Sequence, residues 1–200
     1  MIKIFNSLSK NKEIFTPIDA NNIKIYVCGP TVYDRPHIGN ARSIVIYDLW
    51  FRLFSKIFPK VTYVRNITDV DDKINAAALL KKLSIQNLTS EVLKLFYQDI
   101  SALNVLPPTI EPKATEHISE MILMIEKLIR NGNAYVSEGH VLFDVKSYKN
   151  YGELSNRSID EMISGSRIEV AKYKKDPLDF VLWKPADEED DISSVFESPW

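Results

Sequence analysis

The chain has 200 residues, 45% of them hydrophobic and 26% charged, with a formal net charge of -2. That length allows one domain with an ample core, or one domain carrying a substantial insertion, in an ordinary soluble globular protein. The near-neutral balance gives no electrostatic signature of a nucleic-acid binder, and no Lys/Arg run is long enough to mark a local basic face.

In the opening run MIKIFNSLSKNKEIF, charges interrupt the apolar residues, so it does not read as a signal peptide. The longest apolar-biased stretch, Ile44 to Phe58, carries Asp48, Arg52 and Lys56 and does not read as a membrane span. Cys28 is the only cysteine, which excludes an internal disulfide and predicts a reducing, cytoplasmic setting. No low-complexity segment or internal repeat is visible.

Taken in chain order, Ile23 to Cys28 (IKIYVC) is a short β-rich run that predicts a buried strand. Two prolines and a glycine between Gly29 and Pro36 stop any regular element. From Gly39 the pattern is helical and nearly all apolar, which predicts a largely buried helix. Its narrow polar stripe would hold Asp48 and Arg52, spaced four apart and able to pair. Val61 to Ile67 (VTYVRNI) predicts a second strand. Strand, helix and strand within this span make a βαβ unit with parallel strands. Such units place ligands at the carboxyl ends of strands, beside a helix N-terminus that attracts phosphate.

Further helices are expected over Asp71–Leu83 and Thr89–Leu103, followed by the break Leu106–Pro108. Ile118, Met121, Ile122, Ile125, Leu128 and Ile129 follow amphipathic helix spacing, ended by Gly132 as a C-terminal cap. The run AYVSEGHVLFDV predicts a hairpin turning at Glu138-Gly139. Ser158 to Glu161 has the form of a capping box, and Phe180 to Lys184 predicts a strand. Lys172, Lys174 and Lys175 read as a solvated surface, and the acidic run Asp187 to Asp191 as an exposed loop. A joint is expected near Pro107 to Pro112, where the parallel α/β pattern gives way to a mixed one.

The loop PHIGN places His37 and Asn40 at the mouth of the first βα loop, with Gly39 removing a side chain where a ligand lies close to the backbone. A triphosphate there would meet helix N–H groups and donors from His37 and Asn40, able to stabilise charge developing at an attacked α-phosphate. The bland alternative is a structural histidine at a turn. Cys28, on the same edge, reads as a small buried hydrophobe, a nucleophile or a metal ligand. No close-spaced pair exists among Cys28, His37, His117 and His140, so spacing alone assembles no zinc site. His117 reads as a surface or packing residue, and His140 as a strand residue with no identifiable partner.

The segments YVCGPTVYDRPHIGNARS and YVRNITDVDDKI, followed in order by ATEHISEMI, YGELSNRS and DPLDFVLWK, resemble class I cysteinyl-tRNA synthetases over nearly the whole chain. The resemblance implies an α/β fold: a Rossmann-type parallel sheet, the first half of a catalytic domain, over residues 1–112, with a mixed α+β connective insertion over 113–200. It implies ATP binding by Pro36, His37, Ile38, Gly39 and Asn40, with His37 and Asn40 as the catalytic pair. Asn40 stands where the family signature has a second histidine; it still donates a hydrogen bond but cannot become cationic. The resemblance further implies a cysteine pocket formed by Cys28, Gly29, Thr31 and Thr68. Cys28 would be one ligand of a zinc ion that binds the substrate thiolate and rejects serine.

The reaction so implied is activation of cysteine by ATP, with Mg²⁺, to cysteinyl-adenylate, then transfer to tRNA(Cys), by a cytoplasmic monomer that touches no membrane. The other zinc ligands and the Lys-Met-Ser-Lys-Ser signature of the family are expected beyond Trp200. The expectation for these 200 residues is therefore an amino-terminal part that is inactive alone. Two alternatives stand beside it: the related ligase that joins cysteine to an aminosugar, and a non-catalytic folded fragment with residual ATP binding.

Overall fold

The computed structural model describes residues 1–157, 161, 171–187 and 190–200. The described residues fall into two compact units. One comprises Pro17–Ile118 and Glu188–Phe196, the other Met1–Thr16, Ser119–Asp187 and Glu197–Trp200. The division falls at 118/119, and the N-terminal residues group with the later unit.

That later unit opens with a hairpin the sequence pattern did not show, β1 (Lys3–Asn6) antiparallel to β2 (Asn11–Ile14). Charges on both strands conceal its alternation, and the turn takes Lys10 into positive φ. The remaining elements of this unit are α4 (Ile118–Arg130) and the antiparallel strands β5 (Ala134–Ser137), β6 (His140–Phe143) and β7 (Phe180–Trp183), in sheet order β5-β6-β7. A 3₁₀ turn, Ala114–His117, leads into α4, and Gly132 ends it at φ 77°, as the helical period implied. Glu138 and Gly139 both have positive φ, the geometry of a tight two-residue hairpin turn. Ile125, Ala134 and Val141 form the core, with Trp183 and Trp200 packed against it. The capping box at Ser158 lies outside the described residues, as does the centre of the acidic run.

Asp179 holds this sheet to the loop after β6. It is buried and accepts from the Tyr135 hydroxyl (2.6 Å), the Val145 N–H (3.0 Å) and the Asp176 N–H (3.1 Å). Desolvation, then the Asp179 hydrogen bond, pushes the Tyr135 phenol up to about 12 from 10.0. A raised phenol keeps its neutral form in the fold while the unfolded chain ionises first. Stability from this group is thus complete below pH 10 and drains away as the pH rises through about 12. Tyr135→Phe is expected to flatten the loss of stability across that window, read by denaturant midpoints at several pH values.

The unit that carries the candidate site contains β3 (Ile23–Val27), α1 (Ile38–Ile57), β4 (Val61–Arg65), α2 (Asp72–Lys81) and α3 (Ile85–Ala102). β3 and β4 pair in parallel, Ile23 opposite Val61 through Val27 opposite Arg65, so the βαβ unit is present with a small, two-stranded sheet. Isolated parallel bridges extend it, Val64 to Ile110 and Ile67 to Lys113. α3 starts four residues earlier than its apolar spacing suggested, because Ser84 caps it by accepting from the Asn87 N–H. α1 is not largely buried: only Ala41, Ile44, Asp48 and Phe54 are, while Ile38, Leu49 and Leu53 are exposed. Two strands present too narrow a surface to cover an all-round apolar helix. The expected Asp48–Arg52 pair forms (2.7 Å), but with Asp48 buried. Its second oxygen accepts the Leu106 N–H and Arg52 donates to the Asn104 carbonyl, so the pair anchors the chain after α3.

Candidate functional site

Past Val27 and Arg65 the two parallel strands separate and rejoin at a bridge between Thr31 and Thr68. Cys28, Gly29 and Pro30 on one side thus face only Asn66 and Ile67 on the other, which makes a bulge. The Thr68 N–H donates to the Pro30 carbonyl (3.0 Å) and the Val32 N–H to the Thr68 carbonyl (3.2 Å). A Cβ on Gly29 would lie 1.5 Å from the Asn66 carbonyl oxygen, so no side chain fits there. Cys28 is exposed, continuing the alternation that buries Val27. It is therefore not a core hydrophobe.

At the other side of the loop, Pro36 leads into His37, which is the N-cap of α1. His37 Nδ1 accepts the Gly39 N–H (3.0 Å) and Asn40 Oδ1 accepts the His37 N–H (3.1 Å), a reciprocal cap. Two consequences differ from the expectation drawn from spacing. The Gly39 and Asn40 amides are engaged within the cap, the second by the His37 carbonyl. Gly39 is small because the imidazole folds over it: a Cβ would sit 2.8 Å from His37 Cε1. Since Nδ1 accepts, the neutral ring carries its proton on Nε2, and Asn40 keeps its Nδ2 hydrogens as donors. Ile38, the first helical residue, is 83% exposed.

Between the bulge and this cap lies a cleft of about 350 Å³ lined by Gly29, Thr31, His37 and Asn40, and also by Lys73 of α2 and Phe96 of α3. Sequence reasoning missed its charged wall. Lys73 Nζ stands 5.6 Å from the Tyr33 ring centroid, and Arg35 binds Asp99 of α3 through two hydrogen bonds (3.1 and 2.5 Å). The Arg35 hydrogen bond holds the Asp99 carboxyl below its usual range and raises the guanidinium. This pair fastens the β3–α1 loop to α3. Neither partner was readable from a motif, since they stand 64 residues apart.

Asn66 is the other missed residue. Its Oδ1 accepts from the Gly29 N–H (2.9 Å) and the Tyr26 hydroxyl (3.1 Å), and its Nδ2 donates to Thr68 Oγ1 (3.1 Å). An asparagine ending a β-rich run, where that residue is disfavoured, was the available signal.

The cleft thus gathers Gly29, Thr31, Pro36, His37 and Asn40, while Cys28, Ile38, Gly39 and Thr68 are not among its lining residues, nor are the other two histidines. His117 is exposed at the end of the 3₁₀ turn. His140, expected to lack a partner, stacks on Tyr173 at 3.9 Å and 11°, with Nδ1 3.0 Å from the Glu138 carbonyl. Lys175 likewise lies over the Tyr135 ring at 4.0 Å, so that cluster is more than solvated surface. Among the described residues no group of three or more His, Cys, Asp or Glu could hold a metal ion. Cys28 therefore does not make a zinc site with them. No helix among the described residues is long and apolar enough to cross a membrane.

A parallel βαβ unit with a polar cleft at the carboxyl edge of its strands, next to a capped helix N-terminus, defines an α/β domain, the class whose ligand sites lie at that edge. More particularly, residues 14–200 match the family of tRNA synthetases class I (C) catalytic domain, and the chain belongs to it. Similar proteins include the cysteine–tRNA ligases of Beijerinckia indica (55% identical), Rhodospirillum rubrum (54%) and Rickettsia bellii (55%). Each similarity covers 100% of this chain but only 43–44% of the relative, so the chain spans a little under half the length of these proteins.

Proposed function

We propose that this chain supplies the amino-acid and ATP sites of a cysteine–tRNA ligase. The observation that carries the reading is the shared cleft: His37 and Asn40 of the helix cap line one space of about 350 Å³ together with Gly29 and Thr31 of the bulged strand. In this reading the unit holding β3, α1 and β4 is the first half of the catalytic domain, and the unit holding β5, β6 and β7 is the insertion. An exposed lone thiol suits a reducing cytoplasm.

His37 Nε2–H and Asn40 Nδ2–H donate to the ATP phosphates, and the Lys73 ammonium adds positive charge to the cleft wall. Asn40 does this as a neutral donor, so the cation must come from elsewhere, and Lys73 is placed for it. The cysteine carboxylate attacks the α-phosphorus, the bond to the bridging oxygen breaks and pyrophosphate leaves. The acyl group then passes to a hydroxyl of the terminal adenosine of tRNA, releasing AMP. These residues accelerate the first step by positioning and charge stabilisation, with no protein nucleophile. Thr68 Oγ1 accepts from Asn66, which leaves its own O–H to donate to the amino acid. Magnesium would travel with the ATP phosphates. Zinc would supply recognition of the substrate thiolate, with Cys28 as one ligand; the described residues offer no set of partners for it, and no step is assigned to it.

Cysteine-dependent exchange of pyrophosphate into ATP tests the reading. It would be measured on this chain and on a chimera in which the chain replaces the matching segment of the Rhodospirillum rubrum ligase. The chimera is expected to exchange with cysteine and not serine and to charge tRNA. Charging of an aminosugar in place of tRNA would overturn the proposal. His37→Asn keeps a capping side chain but shortens the reach of the donor, and is expected to raise the ATP KM about tenfold with little change in unfolding midpoint. His140→Ala, which alters no residue of the cleft lining, is expected to leave that KM unchanged.

A further inference from the structure

We propose that Asn66 is a positioning residue that sets the Cys28 and Thr68 side chains, and through them the fit of the amino acid. This deepens the ligase reading and rests on it. Between the paired Val27–Arg65 and the bridged Thr31–Thr68 the first strand takes four residue steps and the second three (31 − 27 against 68 − 65). A bulge of this kind leaves backbone groups without ladder partners. Pro30 has no N–H to offer, and the Ile67 N–H turns away to the Pro112 carbonyl. The Gly29 N–H is half-buried, and Asn66 Oδ1 takes it at 2.9 Å.

The same carboxamide reaches both neighbours of the bulge. Through Oδ1 it accepts from Tyr26, two residues before Cys28, and through Nδ2 it fixes Thr68 Oγ1. One planar group therefore links the residues flanking the thiol to the hydroxyl across the strands. Its three hydrogen bonds leave it little freedom to rotate, and the amide orientation is dictated because Gly29 can only donate. Among the described residues the hydrogen-bond contact of Cys28 Sγ is a long one, 3.8 Å to the Gly29 carbonyl. The thiol's position is thus inherited from the backbone that Asn66 clamps. Asn66 thus acts through Tyr26, Gly29 and Thr68.

The test uses amide hydrogen exchange on this chain. Asn66→Ala is expected to accelerate exchange of the Gly29 amide at least tenfold while leaving the Ile67 amide, bonded to Pro112, within twofold. Asn66→Asp keeps the acceptor and is expected to restore Gly29 to within twofold. A second arm reads the chimera described above: Asn66→Ala should raise the cysteine KM about tenfold with the ATP KM within twofold. Unchanged Gly29 exchange in Asn66→Ala, or equal losses for cysteine and ATP, would overturn the positioning role. If the unsubstituted chimera shows no cysteine-dependent exchange, the ligase reading fails and takes the substrate role with it. The amide measurements then still report on the clamp by itself.

Discussion

A methyl group on Gly29 is expected to destabilise the site-bearing unit by about 3 kcal/mol or more, out of a stability of about 5–15 kcal/mol for a typical domain. The added Cβ would lie 1.5 Å from the Asn66 carbonyl oxygen and 2.7 Å from its carbon. Both are backbone atoms, so relief requires the strands to separate at the bulge. The Thr31–Thr68 bridge and the Asn66 hydrogen bonds would go with it. Gly39→Ala is the informative comparison. Its Cβ meets only the His37 ring, at 2.8 and 3.0 Å, and a side chain can rotate away. Loss of that cap costs about 1 kcal/mol and the gain in helix propensity returns about as much. Gly39→Ala should therefore unfold near the parent midpoint yet bind ATP more weakly, because His37 is displaced. Urea denaturation followed by circular dichroism decides this; equal midpoints for the two variants would mean that the strands do not close on Gly29 as described.

Removing Glu111 should cost a comparable amount, about 3–5 kcal/mol, through a different mechanism. Arg65 is 1% exposed at the end of β4, and Glu111 receives both of its hydrogen bonds, from Nε at 3.2 Å and Nη2 at 2.8 Å. The Tyr97 hydroxyl donates to the second carboxylate oxygen at 2.6 Å, and the guanidinium lies 5.3 Å from the Phe96 ring centroid. Desolvation, then the bond to Glu111, drives the Tyr97 phenol well above its ordinary value. Glu111→Ala would strand a buried cation and leave that hydroxyl unpaired. The double variant Arg65→Met with Glu111→Leu should recover most of the loss, since apolar replacement of both partners of a buried pair is often neutral or better. A double-mutant cycle in urea measures the coupling. A cost under about 1 kcal/mol for Glu111→Ala alone would show that the pair is solvated. The pair matters to the site because Arg65 precedes Asn66 and its Cγ lies 3.2 Å from where a Gly29 Cβ would stand.

Much of this architecture was legible before any coordinates. The βαβ order, the hairpin at Glu138-Gly139, the amphipathic α4 with its glycine stop and the Asp48–Arg52 pair are all encoded over a few neighbouring residues. Helical period, turn chemistry and i,i+4 spacing are local properties, so a linear string carries them in full. Part of the cleft lining was legible for the same reason: Gly29, Thr31, His37 and Asn40 sit within one loop and its flanks.

What only the tertiary structure decided is how that loop is held and what faces it. Asn66 meets Gly29 across 37 positions, Arg65 meets Glu111 across 46 and Arg35 meets Asp99 across 64. The exposure of α1 depended on how many strands lie beneath it, and the engagement of its first amides on which way the His37 ring turned. None of these follows from local pattern, because each is set by contacts between segments that come together only when the chain folds. The string of residues by itself determined the groups that one loop and its helix cap bring to the cleft; folding added Lys73 and Phe96 to its wall and decided which groups remain free to act.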